Sequence, residues 1–162
     1  MKNIIITGAS RGIGFDTAVI LARQGHRVLA LSRNEEGLRA LKKEAGEQLD
    51  FMAFDLLKPD AGALLEKVRP MEQVDVLINN AGYLLKKPFE EITNTDWSRA
   101  FGVNFFGPAH LMQILRPFLE KSGEAHILNI GSMGGYQGSA KFPGLSGYSA
   151  SKAAISNLTE CL

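Results

Sequence analysis

The sequence predicts an α/β fold, a parallel sheet doubly wound by helices into three layers, on two observations. Five short apolar runs, at 4–6, 27–31, 49–53, 74–78 and 125–130, alternate with stretches of helical character. Strands separated by helices make parallel crossover units. The first run also passes directly into Thr7-Gly8-Ala9-Ser10-Arg11-Gly12-Ile13-Gly14 and then into a helix carrying Ile13, Ala18, Val19, Leu21 and Ala22. Strand, glycine turn and helix in that order form an anion site, because the helix N-terminus offers unpaired N–H groups and a partial positive charge. Gly8 supplies backbone angles closed to other residues, Gly12 lets the chain approach a pyrophosphate, and Gly14 permits close helix–strand packing.

A chain of 162 residues suits one domain with a sizeable core, here 1–162. The 45% hydrophobic and 22% charged fractions are those of a folded globular protein. A net charge of +1 with scattered Lys and Arg argues against nucleic acid and anionic membranes as partners. No run approaches the roughly 18 apolar residues of a membrane span, and no signal peptide precedes the first strand. Cys161 has no internal partner, which suits a reducing, cytoplasmic setting. His26, His110 and His126 are separated by whole elements, so no metal site is expected.

The second strand, 27–31, ends in Ser32-Arg33-Asn34. In dinucleotide folds a carboxylate at this point binds the ribose of NAD, whereas an arginine accommodates the 2′-phosphate of NADP. Ser32 occupies the carboxylate's place, with Arg33 beside it and Arg11 in the glycine loop, so the pattern favours NADP(H) over NAD(H). Glu35 or Glu36 reaching the ribose is the alternative. A helix follows over 34–46 with Asn34 as its N-cap and Gly46 at its exit. The third strand, 49–53, leads to Asp55, and a short helix over 60–69 ends at Pro70. The fourth, 74–78, runs into Asn79-Asn80-Ala81-Gly82. A long helix starts at Thr93 or Asn94 and is interrupted by Gly107-Pro108, with Asn104 just before the disturbance. The fifth strand, 125–130, leaves Gly131-Ser132 at its carboxyl end, the edge where open α/β sheets bind ligands.

Tyr148 and Lys152 lie four apart in a segment that reads as helix, so their side chains share a face. A neighbouring ammonium favours tyrosinate, which fits the phenol to exchange a proton with a carbonyl or alcohol oxygen, as a hydride transfer requires. Tyr83 and Lys87 repeat the spacing, but Pro88 disfavours helical angles at Lys87. Ser132 would hydrogen-bond the substrate oxygen and stabilise its developing charge; Ser139 and Ser146 are the other candidates in the glycine-rich loop that follows. Lys141 and Phe142 of that loop would line the substrate mouth.

The run Thr-Gly-x-x-x-Gly-x-Gly at 7–14, Asn79-Asn80-Ala81-Gly82, Ser132 and Tyr148-x-x-x-Lys152, in this order, resemble the short-chain dehydrogenase/reductase family over essentially the whole chain. The resemblance implies a Rossmann-type sheet and hydride transfer between nicotinamide and a carbonyl or secondary alcohol. It implies a catalytic set of Asn104, Ser132, Tyr148 and Lys152, with Asn104 holding a proton-relay water and Lys152 also holding the nicotinamide ribose. The cofactor set it implies is Thr7, Gly8, Ser10, Arg11, Gly12, Ile13, Gly14, Ser32, Arg33, Asp55, Asn79, Ala81 and Gly82, joined by Tyr148 and Lys152. Asp55 would lie beside the adenine unless it merely caps a helix, and Asn104 is otherwise a polar residue tolerated in a helix. Pairing through the helices of Asn104 and Tyr148 into a homodimer or homotetramer is a further implication. The gap between Ser132 and Tyr148 exceeds the family's usual spacing. Family members also continue beyond the helix of Tyr148, so the sheet is expected to be cut short at its C-terminal edge and to lack the substrate lid. Two other classes share parts of this pattern. A nucleotide-binding sensor or scaffold would bind NADP(H) without turnover; an isomerase or dehydratase of the nucleotide-sugar type usually has another glycine spacing and a larger C-terminal domain.

Overall fold

The structure is a computed structural model describing residues 1–162. Strands β1 (Asn3–Thr7), β2 (Arg27–Ser32), β3 (Leu49–Ala53), β4 (Val76–Asn79) and β5 (His126–Asn129) form one sheet in the order β3-β2-β1-β4-β5. Every pair is parallel, with Ile6 of β1 between Ala30 and Ile78. The chain winds outward from β1 to β3 and then returns to the other side of β1. The crevice outside the carboxyl ends of β1 and β4 is therefore the switch point where such sheets bind ligands.

Side-chain alternation explains why β1 is apolar without interruption. Ile5 joins a core layer with Leu29, Leu31 and Leu77, whereas Ile4 and Ile6 join the opposite layer with Val28 and Ala30. Helices α1 (Gly12–Arg23) and α2 (Glu35–Ala45) cover the second layer through Ala18, Val19, Leu38 and Leu41. Helices α3 (Ala61–Val68), α5 (Gly107–Leu119) and α6 (Ser146–Cys161) cover the first through Leu64, Leu111, Leu115 and Ile155. Asn34 caps α2 as its sequence position predicts, accepting the Gly37 N–H at 3.2 Å. Thr93 and Asp96 form a reciprocal capping box on α4 (Asn94–Phe101).

The long helix predicted from residue 94 is divided differently from the expectation. Its interruption is a π-helical turn, Gly102–Phe106, one turn before Pro108. The Gly107 N–H donates to the carbonyl of Gly102, five residues back. Pro108, with no N–H to give, sits in the first turn of α5, directly after the π-helical turn. A Cβ on Gly107 would lie 2.7 Å from the Leu56 Cβ, so the widened turn packs directly on the segment after β3. Pro117 lies inside α5 without ending it, and Pro70 falls in a short 3-10 turn, Arg69–Met71. No helix is long and apolar enough to cross a membrane.

Candidate active site

A cleft of about 590 Å³ opens at the carboxyl ends of the central strands. Thr7, Gly8, Ser10, Arg11, Gly12 and Ile13 form one wall. Ser32, Arg33 and Asn34 after β2, Asp55 after β3, and Asn80, Ala81 and Gly82 after β4 complete the rim. Helix α1 enters this cleft with neither a side-chain cap nor an acidic residue in its first turn, leaving its first N–H groups available to an anion. Gly12 has φ +59°, and a Cβ there would meet nothing within 4 Å. Gly14 is instead buried in the packing, its hypothetical Cβ 2.6 Å from the Gly8 carbonyl oxygen. Free donors, open room and the absence of a carboxylate from the first turn of α1 fit the pyrophosphate of a dinucleotide.

At the β2 end, the Ser32 hydroxyl donates to Ser10 Oγ at 2.8 Å, joining the strand end to the glycine loop. Arg11 and Arg33 are exposed, and neither belongs to an ion pair. Glu35 pairs with Arg39 along α2, and neither Glu35 nor Glu36 lines the cleft. Asp55 accepts the Leu57 N–H at 3.0 Å within its own turn, whereas the cap of α3 is Asp60. Asp55 thus lines the cleft and is no helix cap.

The segment after β4 divides its work between two asparagines. Asn80 Nδ2 donates to the Thr7 carbonyl at 3.0 Å and to the Gly8 carbonyl at 3.3 Å, while the Thr7 hydroxyl accepts the N–H groups of Asn80 and Ala81, each at 3.1 Å. Asn79 is 3% exposed and lies outside the cleft lining. Its Nδ2 donates to Asn129 Oδ1 at 2.8 Å, and Asn129 donates on to Thr159 of α6. Asn79 therefore braces β4 against β5 and α6, and Asn80, absent from the predicted set, is the one that faces the cleft.

Tyr148 is half-buried near the start of α6 and Lys152 lies one turn further on, 4% exposed. Lys152 Nζ donates to the Ile130 carbonyl at 2.5 Å, and burial pushes its pKa below the ordinary lysine value. A Cβ on Gly82 would lie 3.7 Å from both Lys152 Nζ and Asn104 Oδ1, which places all three at one end of the cleft. Ser132 heads the turn Met133–Gly135 and accepts the Gly134 N–H at 3.2 Å. The two glycines after it are needed for this approach: a Cβ on Gly135 would be 2.7 Å from the Lys152 carbonyl carbon, and one on Gly134 2.8 Å from Ser149 Oγ. Ser139 is engaged with the Met133 and Tyr136 carbonyls, and Ser146 is the first residue of α6.

Asn104 sits in the π-helical turn, 1% exposed. Its Oδ1 accepts the Tyr83 N–H at 2.7 Å, and its Nδ2 donates to the Tyr83 carbonyl and to Ser151 Oγ, each at 2.9 Å. The second Tyr-x-x-x-Lys is not helical, as Pro88 predicts: Tyr83 and Lys87 lie in irregular chain. Lys87 pairs with Asp96 at 2.8 Å, and Arg99 stacks 4.5 Å above the Tyr83 ring. Those contacts tie the strand-to-helix strap to α4.

Sheet order, glycine loop and cleft together define a Rossmann-type nucleotide-binding fold. The model of the family described as short chain dehydrogenase matches residues 2–162, and the chain belongs to that family, which binds nicotinamide cofactors. It is 31% identical to an uncharacterized oxidoreductase of Staphylococcus saprophyticus, over 99% of this chain and 65% of that protein. A short-chain dehydrogenase from Streptomyces avermitilis superposes with TM-score 0.90 at 32% identity, over 99% of this chain and 59% of the other. A 3-ketoacyl-(acyl-carrier-protein) reductase from Brucella melitensis, complexed with NADH, gives TM-score 0.90 at 29% identity, over 99% and 68%. The chain thus spans about three-fifths of the length of the curated relatives it matches, 65% and 59% for the first two.

Proposed function

We propose that this chain carries the NADP(H)-binding and proton-transfer residues of an oxidoreductase acting on a carbonyl or secondary alcohol. The observation that carries the reading is the convergence of Lys152 Nζ, Asn104 and Gly82 at one end of the dinucleotide cleft, with Tyr148 one helical turn from Lys152. The nicotinamide, when bound, supplies or accepts the hydride. Tyr148 is the general acid or base, giving its phenolic proton to the substrate oxygen in reduction and recovering it in oxidation. Lys152 would hold the nicotinamide ribose through its ammonium. Ser132 hydrogen-bonds the substrate oxygen, and Asn104 would hold a relay water beside Lys152. Thr7, Gly8, Ser10, Gly12, Ile13, Asp55, Ala81 and Gly82 bind the dinucleotide, with Gly14 letting α1 pack against the glycine loop and Asn79 supporting the sheet beneath it.

NADP(H) is the preferred form in this reading because Arg11 and Arg33 flank the cleft without internal partners, and Ser32 stands where a carboxylate would repel a phosphate. A homodimer or homotetramer formed through the helices of Asn104 and Tyr148, in a cytoplasmic setting, belongs to the same proposal. Phe106, half-exposed and stacked on His110, supports it.

Calorimetric titration with NADPH and NADH tests the cofactor. Preferential NADPH binding that is lost in the Arg11→Ala, Arg33→Ala variant is expected; equal binding of both overturns the preference. NADPH oxidation is then followed against aliphatic ketones, aromatic aldehydes and α-diketones. Turnover that disappears in Tyr148→Phe and survives in Tyr83→Phe is expected. NADPH binding with no Tyr148-dependent turnover would instead identify a nucleotide-binding module.

A further inference from the structure

Ser151 lies between the two residues of the Tyr148–Lys152 pair, in the middle of α6, and is fully buried. A helical serine commonly returns its hydroxyl to a carbonyl one turn back, a bond of small consequence alone. Ser151 does this, donating to the Tyr148 carbonyl at 2.8 Å, but its oxygen also accepts Asn104 Nδ2 from another element at 2.9 Å.

The direction of these bonds follows from Tyr83. Its N–H requires the oxygen of the Asn104 amide and its carbonyl requires the nitrogen, so the amide has one orientation. The remaining Nδ2 proton then points at Ser151, whose own proton must go to Tyr148. One hydroxyl therefore links the backbone of the proposed proton donor to the amide that clamps the strap beside Gly82, and its immediate neighbour in sequence carries the buried ammonium.

We propose that Ser151 is a positioning residue: through Asn104 it holds α6 in register against the π-helical turn and so sets where the Tyr148 phenol and Lys152 ammonium stand in the cleft. This rests on the oxidoreductase reading for its kinetic consequence and on the hydrogen bonds alone for its structural one. Ser151→Ala leaves an Asn104 N–H unpaired in a site closed to water and removes the tie. Ser151→Thr keeps the hydroxyl.

The test compares both variants with the wild-type chain by amide hydrogen exchange and by NADPH oxidation, using the carbonyl turned over fastest in the panel above. In Ser151→Ala, the Tyr83 amide is expected to exchange roughly tenfold faster with the β1 and β4 amides unchanged, as for loss of one buried hydrogen bond. Its kcat is expected to fall roughly 10-fold to 100-fold at unchanged KM for NADPH, and Ser151→Thr to recover most of both readouts. Unchanged Tyr83 exchange in Ser151→Ala, or equal losses in the two variants, overturns the proposal. A parallel loss of NADPH binding and kcat also overturns it, because general damage would then explain the result. A wild-type chain without turnover overturns the oxidoreductase reading instead, and the exchange rates still decide the role of Ser151.

Discussion

Gly14→Ala is the sharpest perturbation of the cleft that leaves every polar group in place. The added Cβ would lie 2.6 Å from the Gly8 carbonyl oxygen and 3.1 Å from its carbon, with Asn80 Nδ2 closer still. Neither neighbour can give way cheaply. The first is backbone, and the second is pinned by its bonds to the Thr7 and Gly8 carbonyls. Helix α1 must therefore withdraw from the glycine loop. Overpacking of this kind costs about 1–3 kcal/mol. At roughly 2–4 °C per kcal/mol for a chain of this size, a cost of about 2 kcal/mol lowers the melting temperature by about 4–8 °C. NADPH binding should weaken as well, because the same withdrawal moves the N–H groups of the first turn of α1. Thermal melting followed by circular dichroism, with calorimetric titration of NADPH, measures both. A variant melting within about 1 °C of the wild type and binding NADPH normally would refute the packing argument.

Three further perturbations probe buried or paired charge. Asp75 is 4% exposed and accepts the Asn3 N–H at 2.6 Å, the Ser122 hydroxyl at 2.7 Å and the Gln73 amide at 2.8 Å. Asp75→Asn turns a donor toward at least one of these donors, so urea melts should show a loss of about 1–3 kcal/mol. Burial raises the Asp75 pKa, but the bonds from Asn3, Ser122 and Gln73 outweigh it and leave the group below the ordinary aspartate value. Its stabilisation is thus present above that value and is lost on acidification through the lower native one, a loss the variant should not show. The Lys87 ammonium, with the Thr93 N–H and hydroxyl, holds the Asp96 carboxyl down to about 2. The stability difference between wild type and Asp96→Asn should accordingly be full above the ordinary aspartate value of 3.8 and shrink as pH falls toward 2 in a melting series. For Lys152, burial lowers the pKa, so its charge opposes folding at neutral pH and the penalty fades as pH rises through the native value. Lys152→Met should melt at or above the wild-type temperature at pH 7 yet lose NADPH oxidation; a clear fall in melting temperature would show that the Ile130 hydrogen bond outweighs the cost of the buried charge.

Local periodicity and turn chemistry make most of the architecture readable in the sequence. The strands are continuous apolar runs because a parallel sheet is covered on both faces, and the caps at Asn34 and Gly46 stand at the two ends of α2. The centre of the helix after residue 94 is poorly legible because a proline is conspicuous in sequence, whereas the packing that widens a turn is not. That turn depends on two glycines five apart and on Leu56, a residue distant in sequence. Asn79 and Asn80 show a related limit. Adjacent residues at a strand end point to opposite sides, and only the register of β4 against β5 determines which asparagine is taken by Asn129 and which one faces the glycine loop.

The polar cluster around Asn104 was the least legible because it is assembled from the strap at Tyr83, the π-helical turn and α6, and each contributes residues unremarkable in isolation. Asn104 lies within the π-helical turn, buried, where its amide satisfies both polar groups of Tyr83 and still reaches Ser151. The strap is consequently held at its Gly82 end by Asn104 and at its Lys87 end by Asp96 and the Gly144 carbonyl. Lys152 is left at this end of the cleft buried and without a carboxylate partner. A buried ammonium held only by the Ile130 carbonyl is costly to the fold, and under the proposed function that cost keeps a cation for a ligand's oxygen atoms.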